Sequence, residues 1–276
     1  MASLALLAAC LPVAGRARAA ASLEIGILPN ISARVLLAQY EPMRSFLASN
    51  LRSNIHISTA PSWHSFHART LALEYDLVIT ASHLGRVAQL ERGLLPLLVY
   101  EPAIKGMLIS AVKRPLRSVA ELKGQTLALS NPQSLVTLRG FQWLAGQGLA
   151  RKRDFQTINT PTDDSVGNVV LHGDAIAAML SGGEFRAIPA PLKQQLQVLT
   201  TFAEVPGFVV MASPRLPASQ VQAVTDALLR FSAGTPEGRA FFAATGFSAI
   251  RTLPPGLMAS LDPYVDATRE ILATPG

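Results

Sequence analysis

Cysteine is almost missing from this sequence: Cys10 is the single one in 276 residues. No disulfide can form within the chain, and downstream of Cys10 thiolate chemistry is excluded. Aromatic residues are only 6%, too few to suggest a base-stacking surface for nucleic acid. Charged residues are 15% against 49% apolar, which excludes disorder and favours a well-buried core. The formal charge is +6, yet no run of five or more Lys or Arg occurs, so a nucleic-acid partner is not expected. No apolar run reaches the roughly 20 residues needed to cross a bilayer. Gly-rich phosphate loops and a G-x-S-x-G elbow are also missing, and no nucleophile–base pair stands out. Nothing therefore argues for catalysis, and no cofactor is expected. His64 and His67 share a helical face, but no nearby Cys, Asp or Glu completes a ligand set, so no metal is expected either.

Residues 1–21 do not read as part of the fold. Leu4 to Val13 is a short apolar stretch that runs into Ala17-Arg18-Ala19-Ala20-Ala21, a region of small-residue cleavage sites. This segment is expected to be a signal peptide or membrane-targeting segment that sends the protein to the periplasm. Leu7-Ala8-Ala9-Cys10 resembles a lipoprotein processing box, which gives Cys10 a second reading as the site of a lipid anchor.

From Leu23 onward, strand-like and helix-like segments alternate. Leu23–Leu28, Ile55–Thr59, Leu77–Thr80 and Leu95–Val99 read as strands. Between them lie helices over Ala33–Leu51, Ser62–Leu73 and Ser82–Arg92, the first placing Leu36, Leu37, Tyr40, Met43 and Leu47 on one face. Gly106–Val112 opens a second unit, in which Ser118-Val119-Ala120-Glu121 has the spacing of a capping box. Alternation of this kind argues for α/β sheets covered by helices. Two strand-to-helix junctions stand out: Asp76 to His83, with Thr80 and Ser82, and Leu127 to Thr137, with Ser130, Ser134 and Thr137. Free backbone N–H groups at a helix start, flanked by hydroxyls, make an anion site. The chain also echoes itself, with Glu101-Pro102 before Gly106 and Glu204-Val205-Pro206 before Gly207, which reads as two crossings between lobes.

Ordered pieces of the sequence resemble the phosphonate- and phosphite-binding proteins of ABC importers. They are Ile25-Gly26-Ile27-Leu28-Pro29-Asn30, Tyr40-Glu41-Pro42 with Phe46-Leu47, Tyr75 to Ile79, Ser118 to Gln125, and Leu171 to Ile176. Thr235-Pro236-Glu237-Gly238, Gly246-Phe247 and Asp262-Pro263-Tyr264 complete the series, which spans 23–272. The resemblance implies a two-lobed periplasmic-binding-protein fold of type II, each lobe a mixed, mostly parallel sheet flanked by helices. Residues 22–103 and 208–276 would form lobe one and 104–207 lobe two. A monomer would capture a small oxyanion or zwitterion between the lobes and present it to a membrane permease.

The same resemblance implies where ligand is held. In lobe two it points to Ser134, at the start of what is usually three consecutive hydroxyl residues; Leu135 and Val136 stand in the next two places, and Thr137 follows. In lobe one it points to Thr80, Ala81, Ser82 and His83, with His83 a possible cationic donor. Where the family often carries a Ser-His pair, Asn159 to Ser165 brings Asp163 and Asp164, which suit a ligand that also bears an amine. Ser130 and Tyr40 complete the expected contacts, and Trp63 is a candidate wall. Two other functions fit the same scaffold: a sensor that signals to a membrane histidine kinase, and an enzyme.

Overall fold

The structure is a computed structural model that describes residues 22–160 and 165–273. The targeting segment and Cys10 lie outside the described residues. In the first half the elements are β1 (Ser22–Ile27), α1 (Ala33–Leu51), β2 (Asn54–Ser58), α2 (Trp63–Leu71), β3 (Leu77–Thr80), α3 (Ser82–Arg92) and β4 (Leu95–Glu101). Then come β5 (Ile104–Ala111), β6 (Thr126–Leu129), α4 (Leu135–Gly146), β7 (Gln156–Asn159), α5 (Val166–His172), β8 (Ala177–Ser181), α6 (Gly182–Ala187), α7 (Ala190–Lys193) and β9 (Leu196–Val205). The chain ends with β10 (Val209–Ala212), α8 (Ala218–Ser232), α9 (Pro236–Thr245), β11 (Ala249–Thr252) and α10 (Val265–Ala273). Short 3-10 helices span Val119–Leu122 and Ala259–Tyr264.

Two sheets result. The first has the order β11-β4-β10-β3-β1-β2, the second β7-β6-β8-β5-β9. Pairs β1–β2, β1–β3, β6–β7 and β6–β8 are parallel, as helical connections require. The other pairs are antiparallel, because β5, β9, β10 and β4 meet at the places where the chain leaves one sheet for the other.

Burial follows the sequence periods. On α1 the buried residues Leu36, Tyr40, Met43 and Leu47 lie three or four apart and face the first sheet, whereas Leu37, expected on that face, is exposed because it lies about 100° around the helix from Leu36. With α8 and α9 the buried residues form one apolar layer, centred on Phe241, whose ring meets Tyr40 at 5.1 Å and Phe231 at 5.5 Å. On the second sheet, Leu127, Leu129 and Met179 join one cluster while Ala128, Ala178 and Leu180 join the cluster on the other face, the alternation expected of strands. The Ser118 capping box does not form: Ser118 makes no side-chain cap, and Glu121 accepts only weakly from Arg117 N at 3.4 Å. The helix there is a single 3-10 turn, too short to carry the geometry.

The chain passes from the first sheet to the second between Glu101 and Ile104 and returns between Val205 and Val209. The two connections run side by side, with Ile104 paired to Val205 and Tyr100 N donating to Phe208 O at 2.8 Å. Gly207 lies directly against the Tyr100 carbonyl, so a β-carbon there would strike backbone that no rotamer change can move. Gly207→Ala is expected to cost about 1–3 kcal/mol, read as a lower urea midpoint. An unchanged midpoint would show that the two connections are not in such close approach.

Candidate functional site

β3 ends at the buried Thr80, and α3 begins at once. The N-cap is Ala81, whose methyl group cannot accept a hydrogen bond. Gly85 N donates to Ala81 O, but the amides of Ser82, His83 and Leu84 have no hydrogen-bond partner among the described residues. All three residues are buried. The Ser82 hydroxyl instead donates to Pro206 O, on the return connection, at 3.4 Å.

The α4 start is built differently. Asn131 Oδ1 accepts from Gln133 N at 2.9 Å. Ser134, the N-cap, donates from its hydroxyl to Asn131 O at 3.0 Å and accepts from Thr137 N at 3.2 Å. Thr137 Oγ1 donates to Asn131 O at 2.7 Å. Both hydroxyls that the sequence singled out are therefore engaged inside their own loop. Among the described residues, the amides of Leu135 and Val136 have no partner. Ser130, at the end of β6, turns its hydroxyl to Met179 O at 3.5 Å.

The two starts meet. His83 Nε2 donates to the Gln133 carbonyl at 3.0 Å. The Leu135 and Val136 side chains enter the same apolar cluster as Ala81, Leu84, Val209 and Met211 of the first sheet's layer. Trp63 backs the imidazole at 6.4 Å between ring centroids and fixes itself by donating from its indole to Pro29 O at 3.1 Å. A second tie lies one turn along α4, where Arg139 Nη1 donates to the Tyr264 hydroxyl at 2.6 Å. Beside it, Leu135, Arg139, Glu204, Pro206, Ser260 and Tyr264 line a hollow of about 220 Å³.

His83 is only 1% exposed. Burial pushes its imidazole down to about 4; the Gln133 carbonyl acts the other way, and nearby His67 adds to the lowering. The ring is therefore neutral at pH 7, which corrects the expectation of a cationic donor. With the proton on Nε2, Nδ1 is an acceptor, and this buried atom has no partner among the described residues.

Of the residues singled out in the sequence, the structure gathers Thr80, Ser82, His83, Ser130, Ser134 and Thr137 at two abutting junctions. Tyr40 is elsewhere. It is 4% exposed in the α1 layer, edge-on to Phe241, and burial raises its phenol well above the usual range, so it serves as core. Asp163 lies outside the described residues. The Gln133 carbonyl, Pro206 and Arg139 were not foreseen; only Arg139 had a signal, being four residues after Leu135 on the same helix.

The family model described as the periplasmic substrate-binding protein of phosphonate ABC transporters matches residues 25–253. The chain belongs to that family. Among solved structures it is similar to PhnD1 from Prochlorococcus marinus in complex with methylphosphonate, with a TM-score of 0.79 and 12% identity, covering 90% of this chain and 98% of that one. It is also similar to XAC2383 from Xanthomonas citri bound to chloride ion, with a TM-score of 0.77 and 19% identity over 91% and 99% of the two chains. A binding protein component of an ABC phosphonate transporter from Pseudomonas aeruginosa gives 0.76 and 14% over 92% and 89%. At such identities these likenesses establish the two-lobed periplasmic-binding-protein fold. No match is found among curated proteins. Membership makes this family member a periplasmic component with a small-molecule ligand and a membrane permease as partner. No helix among the described residues is long and apolar enough to cross a membrane.

The buried imidazoles set a pH dependence. His67, like His83, is held down to about 4, mainly by burial. An unfolded histidine titrates at its ordinary value of 6.5. Between those values the unfolded chain binds more protons than the native one, so stability falls as the pH drops from 6.5 toward 4. A His67→Gln, His83→Gln double variant is expected to flatten that fall in urea midpoints recorded at several pH values. An equally steep fall in the variant would contradict neutral native imidazoles.

Proposed function

We propose that the protein captures a small phosphorus oxyanion between the facing starts of α3 and α4 and delivers it to an ABC permease. The observation that carries this reading is the set of five amides, from Ser82, His83, Leu84, Leu135 and Val136, that have no acceptor among the described residues although their own residues are buried. A helix start concentrates partial positive charge, and buried donors left unpaired are unfavourable by about 1–3 kcal/mol each. An anion set between the two starts would satisfy both demands. Ser82, Ser134 and Thr137 would flank it, their hydroxyls reaching it only by leaving Pro206 O and Asn131 O.

Residues 22–103 with 208–276 act as one lobe and 104–207 as the other. The paired connections near 101–104 and 205–209 are the natural place for bending between them. In the present state Leu135 and Val136 seal the gap, so ligand entry requires the lobes to part. The protein works as a binding monomer rather than as an enzyme or a nucleic-acid binder.

Because Leu135 and Val136 offer methyl groups where hydroxyls would add donors, affinity is expected to be modest. Each neutral hydrogen bond contributes about 0.5–1.5 kcal/mol, so Leu135→Ser with Val136→Thr is expected to strengthen methylphosphonate or phosphite binding by about fivefold to a hundredfold. Thermal melting checks both points: saturating ligand raises the wild-type melting temperature, and the double variant needs less ligand for the same rise. No shift with phosphite, methylphosphonate, aminoethylphosphonate or phosphate would overturn the reading.

A further inference from the structure

The junction is rich in donors but contains one acceptor that nothing uses. Five amides and the Ser82, Ser134 and Thr137 hydroxyls all carry hydrogens, and the hydroxyls already have acceptors in Pro206 O and Asn131 O. The Trp63 indole hydrogen is taken by Pro29 O. His83 Nε2 faces a carbonyl, which can only accept, so the ring hydrogen is on Nε2 and Nδ1 keeps its lone pair. Nothing among the described residues donates to that buried atom.

Among the described residues, the charges around it are already engaged or lie to one side. α2 contributes His67, which is also neutral at pH 7, together with His64, whose Nδ1 lies against Leu272 O, and Arg69, which is paired with Glu74 at 2.7 Å; the loop before α4 contributes only backbone and neutral side chains. On α3 itself, Arg86 is tied to Asp262 at 2.7 Å. Arg139 of α4 and Glu204 of β9 line the neighbouring hollow. Arg69 of α2 and Arg86 of α3 are each held by a carboxylate, and the loop before α4 has no cation to offset a second negative charge placed against the lone pair.

A ligand that fits many donors and one acceptor has several ionised or carbonyl-like oxygens and one hydrogen to give. A dianionic phosphonate lacks that hydrogen and sets charge against the lone pair; a sulfonate lacks it at every working pH. We propose that His83, through Nδ1, selects an oxyanion that still carries one proton, so that the monoprotonated form of a phosphonate or phosphite binds in preference to its dianion or to a sulfonate. This rests on the oxyanion reading above and adds the protonation state to it. The P–OH group donates to Nδ1 while the remaining oxygens receive the amides of α3 and α4, and no bond is made or broken.

Calorimetric titration of the full chain with methylphosphonate and with methanesulfonate, from pH 5.5 to 8.5, tests this. Methylphosphonate affinity is expected to fall about tenfold per pH unit once the ligand's second ionisation is passed (phosphate monoesters lose this proton near pH 6), with methanesulfonate at least tenfold weaker than the monoanion. His83→Phe, which cannot accept a hydrogen bond, should abolish the preference for methylphosphonate, and His83→Gln, which can, should retain it. Equal binding of the two ligands by the wild type, with no decline toward high pH, overturns the inference while leaving the oxyanion site standing. An unchanged ligand ratio in a folded His83→Phe variant overturns it as well. Absence of binding by either ligand at every pH overturns the oxyanion reading and this inference together.

Discussion

Two helices begin inside this protein, one from each sheet, and their first turns face each other. Helix starts normally lie where water or a capping side chain can take the free amides. Here Ala81 cannot cap α3, and the cap that Ser134 gives α4 reaches only Thr137 N. The structure then buries both starts under Trp63, Leu84, Leu135 and Val136. Most of the other features of the junction are responses to that arrangement: the engaged hydroxyls, the neutral imidazole and the hydrogen bond from His83 to Gln133 O.

The apolar residues at the α4 start give the junction a double character. Leu135 and Val136 favour the lobes coming together without a ligand, because their side chains leave water when they join the first sheet's cluster. In the proposed site the amides beneath them would favour an anion, because no described residue accepts from them. A binding protein built this way holds its closed form partly by apolar contact and partly by whatever anion it admits. Ligand entry is then slowed by the work of separating the apolar surfaces, while the contact that reforms on closure leaves the affinity itself unchanged.

Much of the fold was legible in the sequence because burial follows simple periods. The α1 spacing from Leu36 to Leu47 and the fully buried run Leu77 to Thr80 are examples, and the two junctions stood out through their hydroxyls. What those hydroxyls do was less legible. Ser134 and Thr137 turn back onto Asn131, a choice made by loop geometry rather than residue type. Tyr40 reads equally as a cleft aromatic or a core one from spacing alone, and only the surrounding Phe231, Phe241 and Tyr100 decide for core. The partner of His83 is a backbone carbonyl, which leaves no mark in a sequence, and its neutral state depends on burial that spacing does not reveal. Likewise Ser118 and Glu121 have capping-box spacing without the length of helix to support it.

The account rests on the unpaired amides at the two helix starts receiving one anion. Nuclear magnetic resonance of ¹⁵N-labelled protein during titration with methylphosphonate observes those groups directly. The amide protons of His83, Leu84, Leu135 and Val136 should move downfield together, with a shared dissociation constant and by more than amides elsewhere. Saturable binding that leaves these four signals in place would contradict it.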